Sequence, residues 1–85
     1  MESIEQEEID ELYKIIGKNV KRIREEKEKS QLDLALSIGH SSAGFVGKAE
    51  ICIHNKHFNI EHLYKISKIL EVDMCEFIKI SEEDL

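Results

Sequence analysis

The side chains of this chain best suited to hold a metal or move a proton crowd into one short stretch, Cys52, His54 and His57. A tetrahedral site needs a fourth ligand, and this spacing matches no common zinc module, so neither a metal nor another cofactor is expected. His40 and His62 stand apart from any nucleophile and acid in a recognisable frame. No Gly-rich phosphate loop and no paired carboxylates occur, and a chain of 85 residues offers little pocket. An enzyme is therefore not expected. What remains are groups that bind without reacting: the hydroxyls of Ser30, Ser41 and Ser42, the amides of Gln31 and Asn55, and the ammonium groups of Lys48 and Lys56.

The elements that must position these groups read as helices throughout. There is no Pro and there are only four Gly, which favours an all-α chain of short, closely connected helices. Ile9, Leu12 or Tyr13, Ile16, Val20 and Ile23 recur at threes and fours, the stripe of a first helix ending near Lys27 to Lys29, with Ile4 one turn earlier. Gly17 lies inside that helix, where it marks either a close helix contact or a break between an N-terminal helical extension and the helix proper. Ser30 with Asp33 reads as the cap of a second helix whose apolar face is Leu32 or Leu34, Ala35 and Ile38, closed by Gly39. Ser41 or Ser42 caps a third, with Phe45, Val46 and Ala49 inward. An irregular stretch from Ile51 to Phe58 follows. Asn59 then caps a fourth helix bearing Ile60, Leu63, Tyr64, Ile66, Ile69 and Leu70, and Asp73 with Glu76 opens a short fifth through Met74, Phe77 and Ile78. Residues 80–85 read as a frayed acidic tail.

The formal net charge of −6 conceals three blocks. Residues 1–11 carry six acids and no base. Residues 12–68 carry eleven Lys or Arg against six acids, net +5, and residues 69–85 carry six acids against Lys79 alone, net −5. Fields are screened beyond about 8 Å at physiological salt, so the basic middle can meet a polyanion while the acidic ends lower the affinity. No apolar run approaches the roughly 20 residues that span a bilayer, and the acidic N-terminus is unlike a secretory signal, which points to a cytoplasmic protein without membrane attachment. Cys52 and Cys75 form no Cys-x-x-Cys pair and are expected to be thiols.

The segment from Gln31 to Glu50 has the parts of a helix-turn-helix: a small residue at the helix crossing, Ala35; a residue able to turn sharply, Gly39; and apolar anchors, Phe45, Val46 and Ala49. With IGKNVKRIREEK before it and VGKAE and NIEHLYKISKILEV after, the chain resembles the phage-repressor-like (Cro/Xre) family from about Leu12 to Ile78. The resemblance implies a five-helix, lambda-repressor-like domain at 12–80, between an acidic extension at 1–11 and an acidic tail at 81–85. It implies a small transcriptional regulator that binds double-stranded DNA as a homodimer, bound to the bacterial nucleoid when engaged. Ser30 and Gln31 would lie against the DNA backbone, Gln31 also reaching bases. Ser41, Ser42, Ala43 and Gly44, with Gly47 and Lys48 a turn later, would face the groove, and Lys48, Asn55 and Lys56 would meet phosphates. Arg24 and Glu50 would form a structural ion pair. The chain departs from the family by one extra residue between Gly39 and Val46 and about two between Glu50 and Ile60.

The third helix contains no Arg, Asn or Gln, the side chains that discriminate bases by about 1–3 kcal/mol per bidentate contact. Readout would then fall to Gln31, to serine and backbone contacts, or to DNA shape. Lys18, Lys21, Arg22, Lys27 and Lys29 interleave with Glu25, Glu26 and Glu28, the pattern of a solvated helix face. Tyr64, Met74 and Ile78 are the candidate dimer surface, with burial in the core as the alternative; Phe77 is read as core. A second protein, a toxin or a regulator, is the alternative partner, since an interaction module or antitoxin can keep this fold with base readout weak or lost.

Overall fold

The computed structural model describes residues 4–85, which are all-helical with no strand. Helix α1 runs Gln6–Glu26, α2 Gln31–Ser37, α3 Gly44–Ile51 and α4 Ile60–Leu70, followed by 3₁₀ helices at Met74–Ile78 and Glu82–Asp84. Ile16, Val20 and Ile23 of α1, Leu34, Ala35 and Ile38 at α2, Val46 and Ala49 of α3, Phe58, Leu63, Ile66 and Leu70 around α4, and Phe77 form one core. Both open alternatives in the helical stripes are decided by packing. Tyr13, not Leu12, joins the core from α1, and Leu34, not Leu32, from α2.

Helix α1 is unbroken at Gly17, and the reason lies in α3. A Cβ at Gly17 would stand 2.6 Å from the carbonyl oxygen of Glu50 and 2.7 Å from that of Ala49. Only glycine lets the C-terminal turn of α3 lie directly on α1. The helix also continues through residue 11, so the acidic N-terminal residues from Gln6 onward belong to its first turns.

The starts of α2 and α4 are fixed locally. Ser30 Oγ accepts the N–H of Asp33 at 3.0 Å while Asp33 Oδ2 accepts the N–H of Ser30 at 2.8 Å, a reciprocal capping box. Asn59 repeats it with an unusual partner: Asn59 Oδ1 accepts from the N–H of His62 at 2.8 Å, and His62 Nδ1 accepts from the N–H of Asn59 at 3.0 Å. Helix α2 closes through Gly39 at φ +87°, with the N–H of His40 donated to the carbonyl of Ala35 at 2.9 Å.

Three expectations are corrected. Neither Ser41 nor Ser42 caps α3. These residues form bends, the cap position falls on Ala43 in right-handed helical conformation, and no side chain accepts from the first turn. In the fifth element Asp73 Oδ1 accepts from the N–H of Cys75 at 2.8 Å, but Glu76 takes no part in the cap and pairs with Lys79 instead. Residues 80–85 do not fray: Asp84 accepts from Lys18 of α1 at 2.9 Å, its side chain 6% exposed, and also caps Ser81. Such a tie spans 66 positions and cannot be read from neighbouring residues. No helix among the described residues is long and apolar enough to cross a membrane.

Candidate functional site

The site is built on a buried ion pair. Arg24 Nε and Nη2 donate to Glu50 Oε2 and Oε1 at 2.7 and 3.2 Å, a two-point grip that fixes the end of α3 against α1. Arg24 Nη1 also donates to the carbonyl of Lys29 at 3.0 Å, holding the approach to α2. The hydrogen bond to Glu50, and then the charge of that carboxylate, raise the Arg24 guanidinium above its ordinary value against the opposing effect of burial. The same carboxylate serves a second residue, for Gln31 Nε2 donates to Glu50 Oε1 at 2.9 Å. Gln31 is thus oriented from α3 and is half-buried. Gly47 makes room for it, since a Cβ there would come within 3.4 Å of Gln31 Oε1.

Helices α2 and α3 meet in the core, where Ala35 of α2 and Val46 and Ala49 of α3 are fully buried. Past the turn at Gly39 the chain reaches the head of α3 through exposed Ser41 and Ser42, half-buried Ala43 and exposed Gly44. The first-turn N–H groups of α3 meet no side-chain acceptor, and a Cβ at Gly44 would find nothing nearer than Ser42 Oγ at 3.9 Å. The head of α3 is therefore bare, with donors and the positive end of the helix dipole outward. Ser30 is exposed, but its Oγ is occupied as a cap. The backbone N–H of Ser30 holds the Asp33 carboxyl below its usual range, which keeps that cap charged.

Beyond α3, Cys52, His54 and Asn55 all adopt left-handed backbone conformation, so the chain turns tightly and returns toward α1. Phe58 anchors the return in the core, and His57 stacks on Tyr13 of α1 with centroids 3.7 Å apart and planes 19° from parallel. Asn55 and Lys56 are exposed here and Lys48 is half-buried. Asn55 and Lys56 share a cleft of about 260 Å³ with Lys14 and Asp10 of α1, so a base and an acid distant in sequence both join them. Sequence proximity concealed both the added base and the added acid. The first-helix bases behave as a solvated face where they pair, Arg22 with Glu26 at 3.1 Å and Lys14 with Glu11 at 3.4 Å.

Cys52, His54 and His57 do not converge, and among the described residues no three His, Cys, Asp or Glu side chains are placed to hold one metal ion. Of the candidate dimer residues, Tyr64 and Ile78 are exposed and Met74 packs partly against the core, while Phe77, expected in the core, is fully buried there.

Two positioning residues escaped the sequence reading. Buried Asn19 donates from Nδ2 to the carbonyls of Phe77 and Lys79 at 3.0 and 2.9 Å, strapping the C-terminal segment to α1. Its one signal was an amide beside Val20 in an apolar stripe. His62 lies against Phe45 of α3, centroids 4.9 Å apart, and His40 lies equally close to that ring. Burial first, and then the neighbouring His40, hold the His62 imidazole below its ordinary value of 6.5.

Comparison of the chain with protein-family models, with curated proteins and with solved structures returned no match.

Proposed function

We propose that the chain binds double-stranded DNA through α2 and α3, as a small repressor-like transcriptional regulator of Cro/Xre type acting as a homodimer. The observation that carries this reading is the head of α3: uncapped, stripped of bulk at Gly44 and Gly47, and flanked by a Gln31 whose amide is held in place by Glu50. Backbone donors presented in this way suit phosphate oxygens. Lys56 and Asn55, on the turn that follows α3, would add phosphate contacts of their own. In a two-fold dimer the two α3 helices would enter major grooves about 34 Å apart. With no Arg, Asn or Gln on α3, sequence preference rests on Gln31 and on DNA shape.

The test is binding to random-sequence duplex DNA across a salt series, with Gln31→Ala and Lys56→Ala beside the parent. The expected result is a salt-dependent affinity whose slope falls by about one for Lys56→Ala, with Gln31→Ala reducing preference among selected sequences. A folded protein that binds no duplex at low salt overturns the reading. A second reading, a protein-interaction module of the same architecture, is favoured by the acidic ends and the net charge of −6.

A further inference from the structure

The side of α1 turned away from α3 carries an unfilled groove. Gly17 faces α3, and Ile15, two residues earlier, stands about 200° around the helix. Ile15 forms the floor of an open groove of about 630 Å³ with Ile80 and Leu85, and Glu7, Glu8, Glu11 and Asp84 line its sides. On the adjoining flank of α1 a second groove, of about 550 Å³, is walled by Ile9, Leu12, Ile60 and Ile78. The segment between them exposes alternate isoleucines, Ile78 at 47% and Ile80 at 55%, while Ile60 is 70% exposed. Contiguous apolar surface of this kind, rimmed by charge, marks an interaction site. The wall is built rather than loose, because Asn19 holds the carbonyls of Phe77 and Lys79 and Lys18 holds Asp84.

We propose that this paired groove docks a basic amphipathic segment of a partner protein, about three helical turns long, its apolar face on Ile15 and Ile80 and its Lys or Arg residues on Glu7, Glu8 and Glu11. The residues lining the groove at Ile15 and Ile80 include four acids and no base; Glu11 is paired from outside by Lys14 and Asp84 by Lys18, and Glu7 and Glu8 have no ion-pair partner among the described residues. Nucleic acid and anionic lipid are repelled by that rim. A second copy of the chain would bring acid against acid. A basic partner satisfies both rim and floor, and it leaves the α2–α3 face on the other side of α1 open. This proposal and the DNA-contacting face of α2 and α3 use different surfaces and fail separately; only Ile78 is shared with the candidate dimer surface.

The probe is a fluorescent fourteen-residue helical peptide built of Leu and Lys in amphipathic register, titrated with the whole protein in the absence of DNA. An otherwise identical Leu and Glu peptide is the control. The Lys peptide is expected to bind at least about a hundredfold more tightly than the Glu peptide, with amide shifts in the parent confined to residues around Ile15 and Ile80. Ile80→Ser, an exposed position, and the triple change Glu7→Gln, Glu8→Gln, Glu11→Gln are each expected to weaken binding at least about tenfold with the thermal midpoint held. Equal binding of the two peptides, unchanged affinity in Ile80→Ser, or shifts spread over other acidic surfaces would overturn the proposal. So would a parent that is dimeric by light scattering and becomes monomeric in Ile80→Ser, since the groove would then belong to a second copy.

Discussion

The two sides of α1 are built on opposite principles. Toward α3, the surface is polar, and its groups are held by a buried network: Arg24 grips Glu50, and Glu50 orients Gln31. Away from α3, the surface is apolar and open, and its walls are strapped on by two hydrogen bonds from Asn19 and one from Lys18. A buried charge pair ties the shape of the first face to the stability of the whole domain. An exposed apolar groove contributes little to folding, so its side chains are free to serve another purpose. The difference can be tested by asking what each face costs when it is damaged.

The largest effect is expected at Glu50. Glu50→Ala leaves Arg24 buried without its partner and Gln31 without its acceptor, and removal of one member of such a pair costs about 3–5 kcal/mol. Denaturant unfolding should show that loss. Ile80→Ser on the other face should change stability by less than about 0.5 kcal/mol, as exposed substitutions do. Equal losses would erase the contrast between the two faces.

An intermediate effect is expected from pH at His62, beside α3. His62 Nδ1 accepts the N–H of Asn59, so a proton on that nitrogen breaks the capping box of α4 beside Phe45. The groups around it are His40 from the turn after α2, Glu61 and Lys65 on α4 and His57 in the preceding loop. Of these only Glu61 favours the charged imidazole. Because the folded value lies below the ordinary 6.5, the unfolded chain takes up the proton first as pH falls. The stabilisation is present above 6.5 and is lost as pH falls toward the folded value. Stability should therefore decline as pH falls through 6.5 and below, and the decline should flatten in His62→Gln, whose amide oxygen can accept the same N–H. An unchanged slope in that variant would remove His62 from the account. The capping carboxylates Asp33 and Asp73, held below 3.8 by backbone N–H groups of Ser30 and Cys75, lose their contribution in a lower window.

The smallest effect is expected at Gly47. Gly47→Ala removes a helix glycine, which stabilises by about 0.5–1 kcal/mol, while its methyl group presses on Gln31 Oε1. Thermal stability should rise slightly while sequence preference in DNA binding changes and peptide docking at the groove does not. A variant that is stabilised with preference intact would show that Gln31 has room to adjust.

What the sequence alone determined about this chain is its local grammar. The all-α class, the caps Ser30, Asn59 and Asp73, the turn at Gly39 and most of the core positions follow from groups within about four residues of one another, where hydrogen-bonding geometry and helical period leave few alternatives. The pairing of Arg24 with Glu50 was legible through a family resemblance. Contacts that depend on how the helices close on one another were decided by tertiary structure. Gly17 was ambiguous until α3 lay on it. Ser41 and Ser42 looked like caps until the turn carried the start of α3 on to Gly44. Asp10 and Lys14 entered the cleft of Lys56 from more than forty residues away, and the acidic tail became a wall through Lys18. The groove beside Ile15 exists only because the chain at Phe77 to Asp84 returns to α1. The physical reason is the same in each case: capping and periodicity act through neighbouring backbone, whereas a docking surface is made by chain segments that meet only once the core has closed.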